Sequence, residues 1–109
     1  MGQDCLFCQI SRGQTSTDFV FENDVLVVFK DINPAAPVHL LIVPKKHIRS
    51  INDLTEADRP VLSEMLMAAK DMALQHRVDK SGYRLFYNVE RGGGQVIFHL
   101  HLHLIAGWK

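Results

Sequence analysis

Residues 99–104 read His-Leu-His-Leu-His-Leu. A strand has a side-chain period of two, so this alternation predicts an extended segment with His99, His101 and His103 on one face. Leu100, Leu102 and Leu104 then anchor the other face in a core. Successive imidazoles on one face would stand roughly 7 Å apart. The closing strand is read as 96–106. Upstream, 25–30 is β-branched and aromatic, and 38–43 is an apolar run stopped by Pro44; both read as strands. Alternation over 18–22 before Asn23-Asp24 reads as a short strand and a hairpin turn, and 83–89 as a further strand. Residues 31–37, carrying Pro34 and Pro37, form a stiffened loop.

The pattern changes period in the middle of the chain. Leu62, Met65, Leu66, Ala69, Met72 and Ala73 recur at helical spacing and predict the one long helix. Thr55 can cap it, with Glu56 and Asp58 at its positive end. Pro60 also allows a start at Arg59 with Asp58 as the cap. Met65, Met67 and Met72 read as core filling. Ser81-Gly82 ends the helical region. Residues 5–12 suit one or two helical turns ended by Gly13, and 91–95 a flexible loop. No repeat and no dividing linker is present. The expectation is an α+β fold: an antiparallel sheet of about five strands, one long helix and a short N-terminal helix, in a single domain over 1–109.

Charge narrows the partners. Twelve basic and twelve acidic residues among 109 leave a formal net charge of zero. A broad electrostatic grip on nucleic acid or an anionic membrane is not expected, so phosphate recognition must be local. No run approaches the roughly 18 apolar residues of a membrane helix. The N-terminus lacks the layout of a signal peptide, and Leu6 spoils a myristoylation match. The expected location is cytoplasmic, with Cys5 and Cys8 as reduced thiols.

Three constellations carry chemistry. Gly92, Gly93 and Gly94 let the backbone approach a ligand and could present amides to an anion; a mobile hairpin loop is the plainer explanation. Their loop leads directly into the histidine segment. There a neutral imidazole can attack phosphorus while its neighbours donate N–H groups and, as like charges, disfavour its protonation. Incidental histidines on a half-exposed strand are the plain alternative. A three-histidine metal site is the sharp one, although the spacing on one strand is wide for a single ion. Cys5-x-x-Cys8 is open between metal site, redox pair and coincidence. His47 and His99 are candidate further ligands.

Phe98-His99-Leu100-His101-Leu102-His103-Leu104 resembles the signature of the histidine triad (HIT) superfamily, His-φ-His-φ-His-φ with φ apolar. Asp31-Ile32-Asn33-Pro34, Ala36-Pro37-Val38-His39, Pro44-Lys45-Lys46-His47, Asn88 and Gly93-Gly94-Gln95 are similar to its Hint-like branch. The resemblance covers almost the whole chain. It implies a HIT-like homodimer that binds purine nucleoside monophosphates such as AMP and GMP. It implies a hydrolase that cleaves their phosphoramidates or acyl-phosphate conjugates at the α-phosphate, through a covalent nucleotidyl-histidine. By position, His101 is the nucleophile and His103 donates to the α-phosphate. Asp31 holds the ribose hydroxyls and Ile32 lines the base pocket. Asn88 and the Gly94-Gln95-Val96 backbone lie beside the phosphate, and His39 orients or relays protons behind the nucleophile. No cofactor is implied for catalysis. Some relatives hold a structural zinc, which here would take Cys5, Cys8, His47 and His99.

Two departures bear on rate and substrate. Hint enzymes often carry Ser where Val96 stands, so only a backbone N–H remains for phosphate. The sequence stops at Gly107-Trp108-Lys109, where longer relatives continue with a tail that tunes the leaving group. Cleavage of dinucleoside polyphosphates, as in the Fhit branch, is the alternative enzymatic reading. A non-catalytic nucleotide- or zinc-binding regulatory module is the other.

Overall fold

Rotamer-poor β-branched residues lose little freedom on a pleated surface, and the two richest segments become neighbouring strands. The computed structural model describes residues 5–107. Its strands are β1 (Phe21–Glu22), β2 (Leu26–Lys30), β3 (Val38–Pro44), β4 (Tyr83–Phe86) and β5 (Leu102–Ala106). Its helices are α1 (Leu6–Ser11) and α2 (Arg59–Gln75). All pairings are antiparallel, in the order β1-β2-β3-β5-β4. This is the expected α+β class. Residues 1–4 and 108–109, on which the readings of a leader and of the chain end partly fall, lie outside the described residues. No helix among the described residues is long and apolar enough to cross a membrane.

Period two divides the sheet into two faces. Leu26, Val28, Leu40, Ile42, Leu102 and Leu104 pack with Met65, Ala69 and Met72 of α2. Val27, Phe29, Leu41 and Val43 point the other way, against Phe7 and Ile10 of α1. The register opposes Leu41 to His103 and His39 to Ile105, so both histidines share the face turned away from α2.

Of the two expected caps, Thr55 opens a 3-10 turn ahead of α2, and Asp58 holds the N-cap position of α2 while its side chain reaches back to Thr55 instead of capping the helix. Thr55 N–H and Oγ1–H donate to Asp58 Oδ2 at 2.9 and 3.1 Å, across a 3-10 turn over Glu56–Asp58. The α-helix follows at Arg59, with Pro60 in its first turn, where the missing N–H costs nothing. A further 3-10 turn, Ile51–Asp53, had no signal in the pattern.

Several expectations need correction. Leu66 and Met67 are about half exposed, so they do not fill the core, whereas Met65 and Met72 do. β5 starts at Leu102, not 96, and His99 and His101 precede it. The reason lies in the end of the neighbouring strand β3: Pro44 offers no N–H, and its carbonyl accepts the His99 side chain at 2.8 Å. Leu100 N–H donates instead to the Ile48 carbonyl at 2.6 Å. β4 ends correspondingly at Phe86, opposite His103. Residues 91–95 are not a free loop: Arg91–Gly93 form a 3-10 turn and Gly94 follows at φ 90°.

Candidate active site and metal centre

His101 lines a cavity of ≈ 400 Å³, together with His103, Asp31, Ile32, Asn88 and Phe7. Its Nδ1–H donates to the His99 carbonyl at 2.7 Å. A carbonyl only accepts, so the neutral ring must carry its proton on Nδ1 and keep the Nε2 lone pair. Among the described residues no hydrogen bond engages that Nε2. Burial holds the His101 pKa below the usual histidine value, opposed in part by the hydrogen bond to the His99 carbonyl. The Phe7 ring meets His101 edge-on, centroids 5.0 Å apart.

His103 receives its tautomer from behind. Ala35 N–H donates to His39 Nδ1 at 3.0 Å, which leaves the His39 proton on Nε2. That nitrogen lies 3.0 Å from His103 Nδ1 and 3.4 Å from Asp31 Oδ2. His103 therefore accepts at Nδ1 and carries N–H at Nε2, a buried atom with no partner among the described residues. An orphaned buried donor costs about 1–3 kcal/mol and points to a ligand. Burial depresses its pKa to about 4, helped by the neighbouring His101 and His39. Phe86 stacks on the ring at 4.5 Å. Asp31, His39 and His103 lie close enough to be considered as a metal group. The Nε2–H of His39 makes them a hydrogen-bonded chain rather than an open set of lone pairs.

Asp31 Oδ1 accepts Asn33 N–H at 2.8 Å, an Asx-type turn that fixes the carboxylate at the cavity wall. Ile32 beside it is 90% exposed, an unusual position for an apolar side chain. Gly94 and Val96 also line the cavity. Gln95 does not. It is buried, and its Nε2 donates to the carbonyls of Arg49 and Ile97 at 2.8 and 3.1 Å. Its Oε1 accepts Glu90 N–H at 2.8 Å. The N–H groups of Gly93, Gly94 and Gln95 are spent on the carbonyls of Glu90 and Arg91. The glycine turn is thus closed on itself rather than an open anion cradle. Glu90 at φ 60°, ψ 173° sits in backbone space that favours glycine. Two contacts from Arg49 at 2.7 and 2.6 Å and one from Ser50 Oγ–H at 2.7 Å hold its carboxylate.

Behind His101 lies a second cluster. Cys5 and Cys8 Sγ with His47 and His99 Nδ1 all fall within 4.8 Å of one another. The separations are 3.2 Å for Cys5–His99, Cys8–His47 and His47–His99, and 3.5 Å for Cys8–His99. A tetrahedral ion with bonds of about 2.0–2.3 Å needs donor separations of about 3.3–3.8 Å, so the set could hold a metal. His99 is poised for it, because its Nε2–H is committed to the Pro44 carbonyl and Nδ1 keeps its lone pair. Burial lowers the His99 pKa to about 4 and, with Cys5 beside it, raises the Cys8 thiol to about 11.

Of the residues singled out in the sequence as candidate site residues, Gln95, His39, Gly92 and Gly93 do not line the cavity or join the metal cluster, and the others do. His39 stands behind His103, not behind His101. Phe7 and Phe86 carried no sequence signal. Phe86 could be found only from the β4–β5 register, and Phe7 only from the docking of α1.

Residues 4–108 match the family described as "Scavenger mRNA decapping enzyme C-term binding". The purine nucleoside phosphoramidase of Escherichia coli K12 is 36% identical over 107 residues, covering 98% of this chain and 90% of that protein. The crystal structure of a HIT family hydrolase from Legionella pneumophila superposes with a TM-score of 0.95 at 46% identity, over 97% of this chain and 95% of that one. A histidine triad protein from Clostridium difficile gives 0.94 at 38%, over 97% and 92%.

Proposed function

This chain belongs to the histidine triad superfamily and is a hydrolase of that family, and on this premise we propose that it is a purine nucleoside phosphoramidase. The observation that carries the reading is the pair of fixed tautomers. His101 offers a lone pair at Nε2, and His103 offers an N–H, on one cavity wall.

In the proposed reaction His101 Nε2 attacks the α-phosphorus of an AMP- or GMP-type phosphoramidate. The P–N bond to the amine breaks, and the amine departs neutral because the nitrogen of the substrate carries the extra proton. His103 Nε2–H supports a phosphoryl oxygen, where charge builds. A water oxygen then bonds to the same phosphorus, the P–Nε2 bond breaks and returns its electron pair to His101, a proton of the water is released to solvent, and the nucleoside monophosphate leaves. Asp31 accepts from the ribose hydroxyls, Ile32 flanks the base, and Asn88, Gly94 and Val96 lie beside the phosphate. Gln95 holds that loop. No step needs a metal. Acyl-phosphate conjugates are a second substrate class for the same site.

The ion proposed for Cys5, Cys8, His47 and His99 is zinc, in a structural role, because two thiolates and two imidazoles suit it. When bound it supplies a rigid tie between α1 and the segment entering β5. Reduced thiols fit a cytoplasmic setting. A homodimer is supported by apolar surface left uncovered: Leu66, Met67 and Leu74 on the outer side of α2, and Leu85 on the edge strand β4. The whole chain, 1–109, acts as one such domain.

The direct test follows AMP release from adenosine 5′-phosphoramidate. Wild type turns over, and His101→Ala loses about 10³-fold or more while still binding AMP. An inert wild type that binds AMP as well as His101→Ala does would refute the catalytic reading.

A further inference from the structure

His99 belongs to two sites at once. Its Nδ1 faces Cys5, Cys8 and His47, and its carbonyl holds the His101 ring at 2.7 Å. The helix α1 is shared in the same way. Cys5 caps it, accepting Cys8 N–H at 3.3 Å, and Cys8 lies within it. Leu6, Phe7 and Ile10 of the same helix wall the nucleotide cavity. Phe7 touches both histidines edge-on, at 5.0 Å from His101 and 6.1 Å from His99.

Six residues do not make a self-supporting helix. Two things fix α1 on the sheet: the apolar contacts of Phe7 and Ile10, and the convergence of its two thiols on His47 and His99. A metal ion can use all four donors only when α1 is docked. A nucleotide meets the Leu6, Phe7 and Ile10 wall only in that same arrangement. The docked position of one element therefore serves both ligands.

We propose that the metal centre and the nucleotide site are thermodynamically linked through α1 and His99: zinc at Cys5, Cys8, His47 and His99 strengthens binding of a purine nucleoside monophosphate, and the nucleotide strengthens zinc by the same factor. This rests on the nucleotide reading above. Reciprocity is required for any such coupling, and the expected factor is about tenfold.

The test has two arms. Calorimetric titration of AMP into zinc-loaded and chelator-stripped protein gives a Kd about tenfold weaker in the stripped form. Equilibrium competition for zinc against a chromophoric chelator gives a zinc affinity about tenfold tighter with saturating AMP. The second arm decides alone if the stripped protein does not fold. Phe7→Ala, which removes the shared wall, shrinks the AMP effect on zinc affinity. A zinc affinity indifferent to saturating AMP overturns the linkage and leaves the phosphoramidase reading standing. Zinc-loaded protein that binds no AMP overturns that reading as well.

Discussion

His39 Nε2 stands 3.0 Å from Nδ1 of His103, 64 positions away along the chain. The contact exists because β3 and β5 pair with His39 opposite Ile105 and Leu41 opposite His103, on the face turned from α2. It dictates which nitrogen of His103 bears the proton. Replacing His39 by Ala releases that constraint. The expected result is a kcat lower by about 10- to 100-fold, the loss of one buried hydrogen bond of about 1–3 kcal/mol. Steady-state kinetics and ¹⁵N shifts of the His103 ring check it. An unchanged rate with an unchanged tautomer would contradict the assignment.

Asp31 keeps one oxygen on Asn33 N–H and has the other near His39. Its proposed contact with the ribose hydroxyls predicts a selective effect. Asp31→Ala should raise KM for the ribonucleoside phosphoramidate by about 10-fold or more, since bonds to a charged acceptor are worth about 1.5–3 kcal/mol. The 2′-deoxy substrate should suffer less. Equal losses on both would remove the ribose role.

The reaction needs neutral histidines, and burial keeps the His101 pKa below 6.5 and brings His103 down to about 4. Protonation of His101 removes its lone pair, so kcat/KM should fall on the acid side with an apparent pKa below 6.5. Stability follows the same sign. Unfolded His103 takes a proton near 6.5 and folded His103 near 4, so between these values the unfolded state binds more protons. The contribution is full above 6.5 and is lost as pH falls towards 4. Chemical denaturation across this range, on wild type and His103→Asn, should show a flatter profile in the variant.

Gln95 ties three backbone groups, those of Arg49, Glu90 and Ile97, with one side chain. Gln95→Ala leaves them without it, next to Glu90 in its strained conformation. The expected cost is about 2 kcal/mol of stability together with a lower kcat/KM, because Asn88, Gly94 and Val96 ride on that loop. Denaturant midpoints and kinetics on the same preparation measure both. A variant as stable as wild type would show the ties to be dispensable.

The sheet was legible because 99–104 alternates with period two and the short β-branched and apolar runs before it end in turn residues and Pro44. Leu100, Leu102 and Leu104 are buried against α2, as alternation requires. The extent of β5 was not legible. It depends on Pro44, 55 residues from His99, spending its carbonyl on a side chain. Helical spacing likewise marked Leu66, yet spacing does not say how wide a stripe the sheet will cover. For the site, residue types and their resemblance to a family named nearly every group. What escaped was which nitrogen faces which partner, as with His39 standing behind His103. The role of Gln95 escaped for a related reason: a motif position does not reveal whether its amide meets a ligand or its own loop.

At the head of the chain from Ala35 to His39 to His103 stands a peptide group. An amide nitrogen does not titrate and has only one proton to give, so the main chain sets the polarity of both rings, and the Asp31 carboxylate 3.4 Å from His39 Nε2 favours the same arrangement. Position 35 consequently tolerates any side chain that keeps its amide, and proline is the one residue that would remove the donor at the head of this chain.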